Sequence, residues 1–143
     1  MIYFPLGVKL SATQKAQLLQ EDKATGPSLT HTELPEELIN NFIYMFPKPS
    51  KVRLTSIAPN ETVTIEAQDS PDRRSVIVFP LSDNYAPFTA IEDGKALEVP
   101  QMNCYAFNTT LTRTIHNNGT RRVGLHLWYD MDIVQLFHIM TGQ

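Results

Sequence analysis

The sequence predicts a mainly β domain (a sandwich, jelly roll or barrel) with helices on both flanks, and three observations predict it. Between Val52 and Asp130 apolar residues alternate with polar ones at a period of two, in seven or eight short runs. Turn-forming residues separate the runs. On either side the apolar spacing widens to that of a helix, at Leu38, Ile39, Phe42, Ile43 and Phe46 before the region and at Ile133, Leu136, Phe137 and Met140 after it.

Ser11, three residues ahead of Gln14, has the form of a capping box, and Ala12 to about Asp22 supplies helix formers with Ala16, Leu18 and Leu19 as apolar contacts. A second helix is expected from Pro35, a favoured first helical residue, until Pro47 and Pro49 end it. VRLTSI from Val52, a turn at APNE, and TVTIEA then read as strand, turn, strand. RSVIVFPL, PFTAI, ALEV, NCYAFN, TRTIHN and RRVGLHLWYD follow, with Asp93-Gly94 and Asn118-Gly119 as hairpin signals. Asp130 is the expected N-cap of a last helix that reaches Gly142 as its stop. With no repeat or low-complexity linker, residues 1–143 read as a single domain: a helical N-terminal cover over 1–51, a β core over 52–130 and a C-terminal helix over 131–143.

The 143 residues suffice for one core, and 42% hydrophobic with 19% charged residues is the balance of a globular protein. Twelve Lys+Arg against fifteen Asp+Glu leave a formal charge of -3, with the basic residues scattered, so no nucleic-acid footprint is expected. Taken alone, the doublets Arg73-Arg74 and Arg121-Arg122 read as solvated turn residues. The start MIYFPLGVKL has no basic region ahead of its apolar residues and is broken by Pro5 and Gly7, unlike a signal peptide, and no apolar run is long enough to span a membrane. A lone cysteine, Cys104, permits no internal disulfide. The expected location is the cytoplasm.

The order of smaller signals from Arg53 to Asp130 carries more. Ile57, Pro59 and Val63 form a strand and proline turn; Pro80-Leu81 closes a later strand; Tyr105, Phe107-Asn108, Arg113, Ile115, Asn117 and Arg122 follow, then VGL and Asp130. In this order the chain resembles the aspartyl/asparaginyl β-hydroxylase branch of the 2-oxoglutarate/Fe(II) dioxygenases. That resemblance implies a double-stranded β-helix, the jelly roll of the cupin-like proteins, with two N-terminal helices and one C-terminal helix around it. It also implies that Arg122 matches the arginine that grips the far carboxylate of 2-oxoglutarate through a bidentate fork.

The resemblance further implies iron on two histidines and usually one carboxylate, and here the chain departs from the pattern. Counting from the proline turn puts the first pair of ligands at Glu66 and Gln68; strand alternation puts it at Ala67 and Asp69. Neither register contains histidine. At the distal histidine's place stands Arg113, a permanent cation with no lone pair to offer a metal.

Four histidines remain to be weighed as displaced ligands. His31-Thr32-Glu33 has the form of an H-x-E pair but precedes the β core, so surface contact is expected. On the strand where Arg113, Ile115 and Asn117 share one face, His116 turns its ring to the other. His126 alternates with Arg122, Gly124 and Trp128 and so shares the arginine's side of the sheet. His138 belongs to the last helix and reads as structural, and Cys104 as a small buried hydrophobe.

The expected function is therefore an oxygenase-like domain without a complete iron site, a pseudoenzyme with no metal and no cofactor. It would bind a small anionic molecule or a protein partner, with no nucleic acid and no membrane, and a homo-oligomer is compatible with the sequence. The candidate ligand-binding residues are Arg122, Arg113, Asn117, Tyr105, Glu66, Gln68 and His126; no catalytic residue is assigned. Two alternatives stand beside it. One is an active dioxygenase using 2-oxoglutarate and Fe(II), with ligands drawn from His31, Glu33, His116, His126, Glu66 or Asp69. The other is an assembly module marked by exposed apolar side chains on its strands.

Overall fold

The computed structural model describes all residues except 23–28, 36, 39, 41–45, 68–73, 84–86 and 143. In chain order the strands are β1 Tyr3–Pro5, β2 Leu29–Glu33, β3 Lys51–Ile57, β4 Thr62–Ile65, β5 Ser75–Pro80, β6 Phe88–Glu92, β7 Lys95–Val99, β8 Tyr105–Asn108, β9 Thr112–His116 and β10 Arg122–Tyr129. Helix α1, Ala12–Leu19, precedes β2, and helix α2, Ile133–Thr141, follows β10. A six-stranded sheet runs β1-β8-β5-β10-β3-β2 and faces a four-stranded sheet running β4-β9-β6-β7. Every pairing is antiparallel. From β3 onward the chain crosses repeatedly between the two sheets, which makes the β core a double-stranded β-helix.

Two apolar layers result, one on each face of the larger sheet. Leu54, Ile77, Phe79, Leu125 and Leu127 face outward and are covered by Leu18 of α1 and Leu136 of α2, all buried. Ile57, Val76, Val78, Tyr105, Phe107 and Trp128 face inward and pack against Phe88, Ala90 and Ile115 of the smaller sheet. Central strand β10 serves both layers by its period of two: Val123, Leu125, Leu127 and Tyr129 belong to the outer one, Trp128 to the inner. Arg122 and His126 share the parity of Trp128, so both point between the sheets.

Local chemistry accounts for the element ends. Ser11 caps α1 with both halves of the capping box formed, its hydroxyl accepting from the Gln14 backbone amide at 3.1 Å and the Gln14 side-chain oxygen accepting from the Ser11 backbone amide at 2.9 Å. Asp93 (φ 52°) and Gly94 (φ 77°) make the two-residue β6–β7 hairpin, whose mirror-image turn requires positive φ at both positions. Gly142 ends α2 in the left-handed conformation, at φ 72°.

The structure corrects three expectations and leaves a fourth largely outside the described residues. Residues 1–51 are not a purely helical cover, since β1 and β2 add to opposite edges of the larger sheet. Asn118-Gly119 does not close a hairpin, because β9 and β10 lie in different sheets and the segment between them is a crossover. Asp132, not Asp130, caps α2: its carboxylate accepts from the Gln135 amide at 2.9 Å. The helix expected from Pro35 lies largely outside the described residues.

Candidate functional site

The inward face of β10 carries Arg122, His126 and Trp128 into the space between the sheets, where Arg122 is 1% and His126 4% exposed. The imidazole stacks on the Trp128 indole, ring centroids 5.3 Å apart and 25° between planes. Its Nδ1 lies 3.3 Å from the Gly124 carbonyl oxygen. A carbonyl only accepts, so Nδ1 carries the proton and Nε2 keeps a lone pair. Burial, and then the guanidinium of Arg113, hold His126 well below the ordinary histidine range; Arg122 and His31 push the same way, opposed by the Gly124 carbonyl. The ring is neutral at physiological pH.

Across the interior, β9 turns Arg113, Ile115 and Asn117 inward and leaves His116 exposed, as its alternation predicts. Arg113 is 6% exposed and its guanidinium carbon lies 5.1 Å over the Phe107 ring. Pairing with Ile65 places it at the far end of β4. Arg113 and Arg122 come from facing sheets and both act electrostatically on the His126 ring, so the two arginines share one interior. Tyr105 lines the same space, buried, with its ring 6.0 Å from Phe88.

Asn117 has a different occupation from the one expected. Its side-chain nitrogen donates to the carbonyls of Ile57 at 3.1 Å, Ala58 at 2.8 Å and Thr120 at 2.9 Å, tying the β9–β10 crossover to the end of β3. Its N–H groups are thereby committed to the backbone. Glu66 is exposed just beyond β4. Ala67 is likewise exposed, and Gln68 and Asp69 lie outside the described residues.

His31 is exposed, in keeping with the surface contact expected of it, but it lies within the larger sheet, on its edge strand β2, and not ahead of the β core. On β2 it pairs with Thr55, its Nδ1 lies 3.0 Å from the Thr55 hydroxyl, and its ring meets Trp128 edge-on at 5.7 Å. Glu33, two residues on, accepts from Arg53 Nε at 2.6 Å, and the Arg53 guanidinium lies 6.0 Å from the Trp128 ring centroid. Trp128 is buried on the interior wall, Arg53 is part-buried beside it, and His31 reaches the indole from the exposed edge strand β2. From the sequence alone, His31 is weighed as a displaced ligand and Arg53 has no role. The signal that identifies Arg53 is its parity with Thr55 and Ile57 on β3. The remaining histidines stand apart: His116 bonds the Thr62 hydroxyl at 2.9 Å on the outer face, and His138 is exposed on α2.

Chemically the described interior is rich in cations and poor in metal donors. Arg53, Arg113 and Arg122 are always charged and offer only N–H groups. Among the described residues no three His, Cys, Asp or Glu side chains converge as a metal's ligands would. His126 is the one neutral donor on that wall, and two guanidiniums oppose any further positive charge beside it. The described residues by themselves do not fit an iron centre.

Comparison with known proteins supports the architecture. The chain aligns with a 2OG-Fe(II) oxygenase family oxidoreductase from Burkholderia pseudomallei over 91% of its length and 84% of that chain, at a TM-score of 0.60 and 10% identity. A prolyl hydroxylase from Trichoplax adhaerens, solved with a hypoxia inducible factor peptide fragment, aligns over 89% of this chain and 82% of that one, at 0.58 and 9%. A Pseudomonas putida prolyl-4-hydroxylase aligns over 89% and 83%, at 0.54 and 16%. At these identities the likeness is one of fold. No protein-family model and no curated protein sequence matches the chain.

Proposed function

We propose that this chain is an oxygenase-like β-helix protein, of the aspartyl/asparaginyl β-hydroxylase branch, whose interior binds a small carboxylate- or phosphate-bearing anion instead of an iron centre. The observation that carries the reading is the burial of Arg113 and Arg122 on the inward faces of facing sheets, where both oppose a proton on the same imidazole. Guanidinium forks match carboxylate and phosphate geometry, and in a water-poor interior each such bond is stronger than at a surface. Arg122 would take the anion in the way the resemblance implies for 2-oxoglutarate. Arg113, where the resemblance implies an iron-binding histidine, would supply a second cation in place of the metal's charge.

Calorimetric titration with succinate and with inorganic phosphate tests the proposal. The expected result is saturable binding that weakens with added salt and falls at least about tenfold in Arg122→Gln and in Arg113→Gln while circular dichroism stays unchanged. Incubation with Fe(II) and 2-oxoglutarate should yield no succinate above background. Turnover of 2-oxoglutarate that disappears in His126→Ala would overturn the proposal in favour of a working dioxygenase. Absence of anion binding together with a concentration-dependent oligomer would favour the assembly module.

A further inference from the structure

We propose that the interior site selects an anion that also carries a hydroxyl group, a hydroxy-carboxylate, with His126 Nε2 accepting from that hydroxyl while Arg113 and Arg122 donate to carboxylate oxygens. The inference rests on the anion-binding reading above and adds the ligand's class. Its ground is the mixed polarity of the residues brought together. A guanidinium has five N–H donors and no acceptor, so Arg113 and Arg122 ask only for lone pairs. His126 asks for the opposite. Its Nδ1–H is engaged by the Gly124 carbonyl at 3.3 Å, and among the described residues that is the ring's hydrogen bond. Stacking on Trp128, with 25° between planes, fixes the ring's attitude and so the direction of the Nε2 lone pair.

The imidazole cannot readily reverse its role by taking a proton, because burial and the charges of Arg113, Arg122 and His31 all oppose one. A plain dicarboxylate or a keto acid presents only acceptors and would set lone pair against lone pair at Nε2. A hydroxy-carboxylate presents both kinds of group. A buried polar atom left without its partner typically costs about tenfold in affinity or more.

Malate and succinate, which differ by one hydroxyl, make the test. Calorimetry on the wild-type chain should show at least one enantiomer of malate binding about tenfold tighter than succinate. In His126→Phe, which keeps an aromatic ring on Trp128 but has no lone pair, the ratio of malate to succinate affinity should fall to about one. Equal affinities in the wild type overturn the selection for a hydroxyl and leave the anion site standing; no binding of either acid overturns both. Nitrogen NMR of imidazole-labelled wild-type protein is independent of the variant's folding. Malate should move the Nε2 resonance of His126 with Nδ1 still protonated, and an identical response to both acids overturns the inference.

Discussion

Removing the Asn117 amide should destabilise the whole β core, and the contacts allow the amount to be worked out. The side-chain nitrogen reaches three backbone carbonyls at 2.8 to 3.1 Å, from Ile57, Ala58 and Thr120, and Asn117 itself is 2% exposed. Two N–H groups serve these three acceptors, so Asn117→Ala deletes two full hydrogen bonds and leaves carbonyls at the end of β3 buried without them. At about 1 kcal/mol per bond, plus part of the penalty for stranded acceptors, the loss is about 3 kcal/mol. With a typical urea dependence that is a fall of roughly 1–2 M in unfolding midpoint. Asn117→Asp should be worse, because a carboxylate would face three carbonyl oxygens. Urea titrations of the three proteins, followed by circular dichroism, decide it. A loss below about 0.5 kcal/mol in Asn117→Ala, the range of surface substitutions, would refute the structural role and return Asn117 to the candidate ligand contacts.

Other outcomes follow from burial and charge. Leu136→Ala on α2, whose side chain is fully buried against the larger sheet, should cost about 2–5 kcal/mol, whereas Val134→Ala, 46% exposed on the same helix, should cost less than about 0.5; similar losses would mean that α2 does not pack as described. His126 has its folded-state pKa depressed below the ordinary value of 6.5, so the unfolded chain takes up a proton that the native one refuses. Stability should therefore fall as pH drops below about 6.5, and His126→Phe should show a smaller loss between pH 7.5 and 5.5 than the parent. An identical pH dependence in the two proteins would sink that reasoning. Burial pushes the Cys104 thiol up to about 12, so Ellman's reagent should label it only on unfolding; rapid labelling of the native protein would contradict its placement beneath the helices.

Most strands from β3 to β10 were legible because one face is buried or half-buried, which imposes a period of two, whereas β7, exposed except for Val99, was marked by the Asp93-Gly94 turn ahead of it. The same period places Arg113, Ile115 and Asn117 on one face and Arg122 and His126 on another. β1 and β2 escaped notice for an opposite reason. Both are edge strands: β1 ends at Pro5, tolerated where no second neighbour needs an N–H, and β2 reads LTHTE with no apolar alternation. Missing β2 also misplaced His31 and Glu33. Asn117's partners lie sixty, fifty-nine and three residues away, and no local pattern encodes contacts of that range. Asp130 and Asp132 offer the same capping chemistry two residues apart, so helix start alone could not separate them.

The central place of β10 also bears on how the chain is made. All eight of its residues are buried, and it is zipped to β3 on one side and β5 on the other. Yet it is translated after every other strand. Until it emerges from the ribosome, β3 and β5 have no shared neighbour, the leucines of the outer layer have no floor, and Arg113 waits without the wall it faces. A growing chain must hold two incomplete half-sheets with open edges, a state prone to mispairing. Closure then depends on a single late insertion whose register is policed by its own alternation, because a slip of one residue would drive Arg122 and His126 under the helices and the leucines among the cations.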